Sequence, residues 1–171
     1  LDFVPYGSAV NGFEEESTDP SKRSDVDLSM QVEPHRCKQQ VFNSVMKYMH
    51  TDQRYELIES RMNAAIPLLK IRLNIAFDEW VEVDITVNNI LPHFNSRILS
   101  YYAALEPRAV KLLHDVKNWA KSYKLHGGAN RHLSTYAFTL MVIYFLQNTS
   151  PPVLPNLQTK ATEPVPVTDH R

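Results

Sequence analysis

The segment Trp80–Val87 alternates without a break. Val81, Val83, Ile85 and Val87 fall on one face, and Glu82, Asp84 and Thr86 fall on the other. A period of two predicts a strand with one buried face. Asp25–Met30 alternates charged and apolar positions in the same way, and Tyr55–Arg61 and Ile66–Ile75 also read as strands. Leu1–Val4 is a short apolar run stopped by Pro5, the end of a further strand, and Gly7-Ser8 stands at the turn after it. Gln39–His50 has a different rhythm: Val41, Val45, Met46 and Met49 recur at helical spacing and predict a helix packed on one face. From Asn95 onward the spacing is helical throughout. Ile98, Leu99, Tyr102 and Ala103 mark one helix. Val110, Leu113, Val116, Trp119 and Ala120 mark a second, and Leu133, Tyr136, Ala137, Leu140, Met141 and Tyr144 mark a third. Residues 11–24 are polar, with Glu14-Glu15-Glu16 and Pro20, and predict an exposed loop. The tail Pro151–Arg171 holds five prolines and reads as a loop or a cut end.

Mixed strands and helices to about residue 90, followed by helices alone, predict an α+β domain running into a helical one. Composition is consistent with this. With 171 residues, 43% hydrophobic and 22% charged, the chain can form a core and is neither disordered nor collagen-like. Cys37 is the only cysteine, which excludes internal disulfides and a Cys-rich zinc module and fits a reducing compartment. The net charge of −1 supplies no global field for nucleic acid, so any such contact must be local. The most apolar run, Ala137–Leu146, is too short to span a bilayer, and the N-terminus lacks the zones of a signal peptide. The first residue is not Met and an apolar stretch is already under way, so the chain reads as a fragment.

The candidate chemistry is acidic. Asp25 and Asp27 lie two apart in a strand and share a face. Asp84 sits mid-strand, where a carboxylate is unfavourable unless it is solvated, paired or bound to a cation. If the two strands are neighbours, three carboxylates converge, and their repulsion calls for a divalent ion. Hard oxygen ligands suit Mg²⁺ or Mn²⁺, and two such ions can serve phosphoryl transfer. The plainer reading of Asp-x-Asp is a solvated strand edge. Three further elements each have a plain reading as well. Gly7-Ser8 offers close backbone approach and a hydroxyl, or an ordinary turn. Lys117 and Lys121 stack on one helix face and could hold a triphosphate, or form a solvated basic face. Ser134-Thr135-Tyr136 opens an apolar helix, where hydroxyls cap or contact phosphate and a tyrosine stacks on a base or joins the core.

As an ordered set these pieces resemble one family. Pro5-Tyr6-Gly7-Ser8 with Asn11-Gly12-Phe13, then Ser24-Asp25-Val26-Asp27-Leu28, then Val83-Asp84-Ile85 are similar to the signature of DNA polymerase β-type nucleotidyltransferases. Asn95-Ser96, Lys117-Asn118-Trp119-Ala120-Lys121, Leu133-Ser134-Thr135-Tyr136-Ala137, Leu140–Gln147 and Pro152–Gln158 resemble terminal uridylyltransferases and non-canonical poly(A) polymerases. The resemblance implies a nucleotidyltransferase domain over residues 1–92, with a mixed sheet and flanking helices. Residues 93–171 would be part of a helical nucleotide-binding domain. It also implies that Asp25, Asp27 and Asp84 hold two Mg²⁺ or Mn²⁺ ions, with Asp84 helping to activate an RNA 3′ hydroxyl. Gly7 and Ser8, Lys117, Lys121, Ser134 and Thr135 would grip the triphosphate, Tyr136 would stack on the base, and Asn95 and Ser96 would meet the ribose or base edge.

The implied activity is template-independent addition of uridylyl residues from UTP to RNA 3′ ends, with pyrophosphate released. The implied setting is intracellular, in cytoplasm or mitochondrion, with an RNA-processing complex as partner and no membrane. Three alternatives stay open. They are a poly(A) polymerase using ATP, a non-catalytic RNA-binding or scaffold module of the same fold, and a small nucleotidyltransferase acting on a protein or antibiotic. The chain departs from the family in two ways: a Glu-rich insert lengthens the loop between Ser8 and Asp25, and the helical part is shorter than in family members.

Overall fold

The computed structural model describes residues 2–14, 24–77, 79–127 and 132–158. Most of the predicted 11–24 loop (residues 15–23) and the end of the Pro-rich tail (residues 159–171) lie outside the described residues. The chain forms two compact units, Leu1–Ala104 and Leu105–Arg171. The family resemblance implies a division at 92/93, near the start of the helix Leu91–Leu105.

The first unit is built on five strands: β1 (Asp2–Tyr6), β2 (Val26–Gln31), β3 (Tyr55–Arg61), β4 (Leu68–Ala76) and β5 (Glu79–Val87). Their order in the sheet is β1-β2-β5-β4-β3. The β2/β5 pair is parallel and the other three pairs are antiparallel. Three helices accompany the sheet: α1 (Ser8–Asn11), α2 (Lys38–Met49) and α3 (Leu91–Leu105). The strand β1 runs through Pro5, which pairs with Leu28. Pro is tolerated there because β1 is an edge strand and need not donate on both sides.

Alternation decides which face is the core. Met30, Leu69, Ile71, Val83, Ile85 and Val87 point to one side of the sheet and bury with Val41 and Phe42 of α2. The charged residues between them necessarily point to the other side. Asn88 secures the ends of the parallel pair. It adopts a left-handed backbone (φ 51°) common for Asn. Its side chain accepts from Val32 N–H at 2.9 Å and donates to the Val32 carbonyl at 3.0 Å. The helix α3 belongs to this unit, burying Leu99, Tyr102 and Ala103. It approaches α1 so closely that a Cβ at Gly12 would stand 2.8 Å from that of Ala103.

The second unit holds α4 (Pro107–Ser122) and α5 (Thr135–Gln147). Ala109, Leu113 and Ala120 of α4 are buried, as are Phe138, Val142, Ile143 and Leu146 of α5. The sequence pattern put Trp119 on the buried face of α4 and chose Tyr136, Leu140, Met141 and Tyr144 for α5. Trp119 is instead exposed, against Tyr123, and those four α5 residues are exposed too. No helix among the described residues is long and apolar enough to cross a membrane.

Candidate active site

Register brings the predicted carboxylates together. Asp27 of β2 stands opposite Asp84 of β5 across the parallel pair. Tyr6 of β1 stands opposite Asp27, Lys70 of β4 opposite Asp84, and Glu59 of β3 opposite Lys70. Five strands therefore contribute one transverse row, Tyr6, Asp27, Asp84, Lys70 and Glu59, on the sheet face opposite the α2 core. Asp25, just before β2, joins Asp27 on that face.

The electrostatics follow from this crowding. Asp27 is pushed up from 3.8 to about 6, chiefly by burial, then by the charges of Asp84 and Asp25, with Lys70 working against the rise. Asp84 is also raised, again mainly by burial; Lys70 pulls it down while Asp25 pushes it up. Burial raises the Tyr6 hydroxyl, with Asp27 and Asp84 adding to the effect. Lys70 answers the acids. Its Nζ lies 2.6 Å from Asp25 Oδ2, 3.0 Å from Glu82 Oε2 and 3.6 Å from Asp84 Oδ1. Burial opposes its charge, but these partners outweigh burial and raise its pKa. At 3.6 Å the ammonium is an ion-pair neighbour of Asp84 and not a hydrogen-bond donor to it. Asp84 Oδ1 is accordingly buried without a hydrogen-bond partner.

An orphaned carboxylate oxygen beside two more carboxylates fits a divalent cation by donor chemistry, because all the ligands offered are hard oxygens. Asp25, Asp27 and Asp84 are the residues that could hold it. Among the described residues no group of three or more His, Cys, Asp or Glu side chains forms a preassembled cation cage. Asp25, Glu82 and Asp84 are grouped around the Lys70 ammonium instead.

The turn after β1 touches this acidic face. Gly7 has φ 77° and ψ −156°, a conformation essentially reserved for glycine. An added Cβ would collide with the Asp27 carboxylate, so glycine is also required by space. Its N–H donates to Ser96 Oγ at 2.8 Å, and that hydroxyl donates to the Pro92 carbonyl at 2.8 Å. Ser96 is thus buried and braces the Gly7-Ser8 turn from α3. Ser8 and Asn95 are partly exposed on α1 and α3.

In the second unit Ser134 caps α5, accepting from Ala137 N–H at 3.2 Å. The Thr135 hydroxyl is 2.7 Å from His126 Nε2. His126 stacks on Phe138. Its pKa is lowered by burial first and then by Lys121 and Lys117. Those two lysines, His126 and Thr135 therefore share one neighbourhood at the start of α5. Tyr136 is half exposed there and is not a core residue.

Sequence reasoning missed Lys70, Tyr6 and His126. Lys70 was within reach, since it stands between the inward Leu69 and Ile71 and must face outward with the acids. Tyr6 needed the β1 register. Nothing in the local pattern around His126 marks it as Thr135's partner.

Asp27 gives the site a pH signature. Its raised pKa means that the folded protein keeps a proton between about pH 4 and pH 6 that the unfolded chain has lost, so its contribution to stability falls as pH rises through that window and stays low above it. Asp27→Asn removes the ionisation. In EDTA-treated protein the variant's Tm should match wild type near about pH 4 and exceed it near about pH 7.5. Thermal denaturation at both values measures this. A difference independent of pH, or a variant less stable at the higher value, contradicts the assignment.

Residues 1–104 match the family described as "Poly(A) RNA polymerase, mitochondrial-like, central palm domain". Among curated relatives, human terminal uridylyltransferase 4 is 33% identical over 159 residues, covering 90% of this chain and 9% of that protein. Human poly(A) RNA polymerase GLD2 is 32% identical over 166 residues, covering 89% of this chain and 32% of that protein. Among solved structures, Cid1 poly(U) polymerase with Mg and 3′-dATP bound superposes with a TM-score of 0.77 at 28% identity, over 96% of this chain and 48% of that one. The chain thus spans under half of the length of these relatives. The mixed five-stranded sheet and flanking helices are the α+β fold of those nucleotidyltransferases. The chain belongs to the mitochondrial-like poly(A) RNA polymerase central palm domain family, within the DNA polymerase β-type nucleotidyltransferases.

Proposed function

We propose that this chain is part of a template-independent RNA 3′-terminal nucleotidyltransferase that adds uridylyl residues from UTP. The observation that carries the reading is the Asp27–Asp84 pairing across β2 and β5, with Asp25 beside it. In the reaction, the RNA 3′ oxygen bonds to the α-phosphorus of the nucleotide, the α–β phosphoanhydride bond breaks, and pyrophosphate leaves. The hydroxyl proton passes to the Asp84 carboxylate, which stands across from Asp27 on β5. Two Mg²⁺ or Mn²⁺ ions held by Asp25, Asp27 and Asp84 would supply charge neutralisation at the reacting phosphate. Gly7 and Ser8 offer backbone and hydroxyl to phosphate. Lys117 and Lys121 supply positive charge, Ser134 and Thr135 supply hydroxyls at a helix start, and Tyr136 supplies an exposed ring for the base. Asn95 and Ser96, on α3, are assigned to the ribose or base edge, with the Ser96 hydroxyl also bracing the Gly7 turn.

Kinship with terminal uridylyltransferases and with Cid1 poly(U) polymerase supports UTP as donor. A second reading, ATP as donor, is favoured by the comparable identity to GLD2 poly(A) polymerase. An intracellular setting, cytoplasmic or mitochondrial, goes with either. The partners are an RNA 3′ end and an RNA-processing complex.

The test is extension of an RNA oligonucleotide by the full-length protein, with each nucleotide supplied separately. Extension is expected with UTP above ATP, and Asp84→Asn should lower the rate about 100- to 1,000-fold. Greater incorporation of ATP selects the second reading, and wild-type rates in the variant reject the metal and base roles. Tyr136→Ala should raise KM for the nucleotide about 5- to 100-fold with little change in kcat, because stacking acts equally in ground and transition states. A fall in kcat at constant KM rejects that role.

A further inference from the structure

The acidic face contains a cation of its own. Lys70 lies directly opposite Asp84 in the β4/β5 register and next but one to Asp27 in the same row. Its ammonium contacts Asp25, Glu82 and Asp84 together. The side chain is only 21% exposed, and that of Asp84 only 22%, so water screens this pair weakly, whereas Asp25 (44%) and Glu82 (37%) are more open. The neighbouring base on the strand, Arg72, is directed to Glu56 and Glu82 and does not reach the aspartates. Among the described residues, Lys70 therefore supplies the ammonium that contacts Asp25 and Asp84.

We infer that Lys70 is a resident counter-ion of the metal site: it holds Asp25 and Asp84 together when no divalent ion is bound, and it weakens the site's grip on that ion when one arrives. The inference rests on the proposed metal role of the three aspartates. Its physical basis is that two functions compete for the same oxygens. A carboxylate oxygen 2.6 Å from an ammonium must exchange that partner, or share it, to ligate a metal. An ammonium fixed near a dication also repels it. Without the ammonium, the three aspartates (Asp25, Asp27 and Asp84) would face one another, while Glu82 would keep Arg72. The protein would then be less stable without metal and would bind metal more tightly. Lys70 is a positioning residue, acting through the carboxylates and not on the substrate.

The experiment is calorimetric titration of Mn²⁺ into the full-length protein, paired with thermal denaturation in EDTA and in Mn²⁺. Lys70→Met should bind Mn²⁺ about tenfold more tightly than wild type. Its Tm should fall in EDTA and recover in Mn²⁺. Lys70→Arg keeps the charge and should keep near-wild-type affinity. Affinity unchanged or weakened in Lys70→Met, with a Tm loss that Mn²⁺ leaves in place, overturns the inference. If Lys70→Met does not fold in EDTA, refolding in Mn²⁺ decides: recovery supports the counter-ion role, and failure in both buffers overturns it. Asp27→Asn separates the two levels of the argument. If that variant loses Mn²⁺ binding while Lys70→Met is unaltered, only the counter-ion role fails. If it binds like wild type, or if wild type binds none, the metal role fails and takes this inference with it.

Discussion

The parallel pairing of β2 with β5 puts Asp27 and Asp84 side by side. Two carboxylates so placed repel each other and resist burial, and both shift upward in pKa. A sheet tolerates such a row only if something on that face is positive. Among the described residues, the positive group in contact with Asp25 and Asp84 is Lys70, and when the site is loaded it would be joined or displaced by a divalent ion. Much of the surrounding geometry follows from keeping this row open. The core lies on the opposite sheet face under α2, so apolar packing does not compete for the acidic face. Gly7 leaves the space that Asp27 Oδ2 occupies, and Ser96 holds the Gly7 turn in place.

Sequence pattern was a good guide where one period dominates. The alternation in Trp80–Val87 and Asp25–Met30 put three carboxylates on exposed faces and left the opposite faces to the core. It could not show that these strands are neighbours, because pairing across 57 positions is a property of topology; the parallel register between Asp27 and Asp84 supplies it. Pattern failed on α5 for a physical reason. That helix is apolar on nearly every side, so its period selects no face. The residues that bury are Phe138, Val142, Ile143 and Leu146, while Met141 and Tyr144 face outward. Ser96 shows another limit. Its place in an expected nucleotide motif gives no sign that its hydroxyl also lies between a backbone donor and a backbone acceptor.

The second unit contributes a different kind of chemistry. Lysines on α4, a histidine before α5 and hydroxyls at the start of α5 form a small basic and polar neighbourhood. Each group is ordinary alone, and it is through His126 that they are seen to act on one another. His126 shows that the set extends past the residues a motif would single out. Its link to Thr135 ties the loop before the helix to the helix start.

The most direct test of the account is crystallography of the full-length protein with Mn²⁺ and a non-hydrolysable nucleotide, using anomalous scattering to find the metal. The account predicts anomalous density liganded by oxygens of Asp25, Asp27 and Asp84. Metal bound elsewhere, with the Asp84 carboxylate left unliganded on its strand, would contradict it.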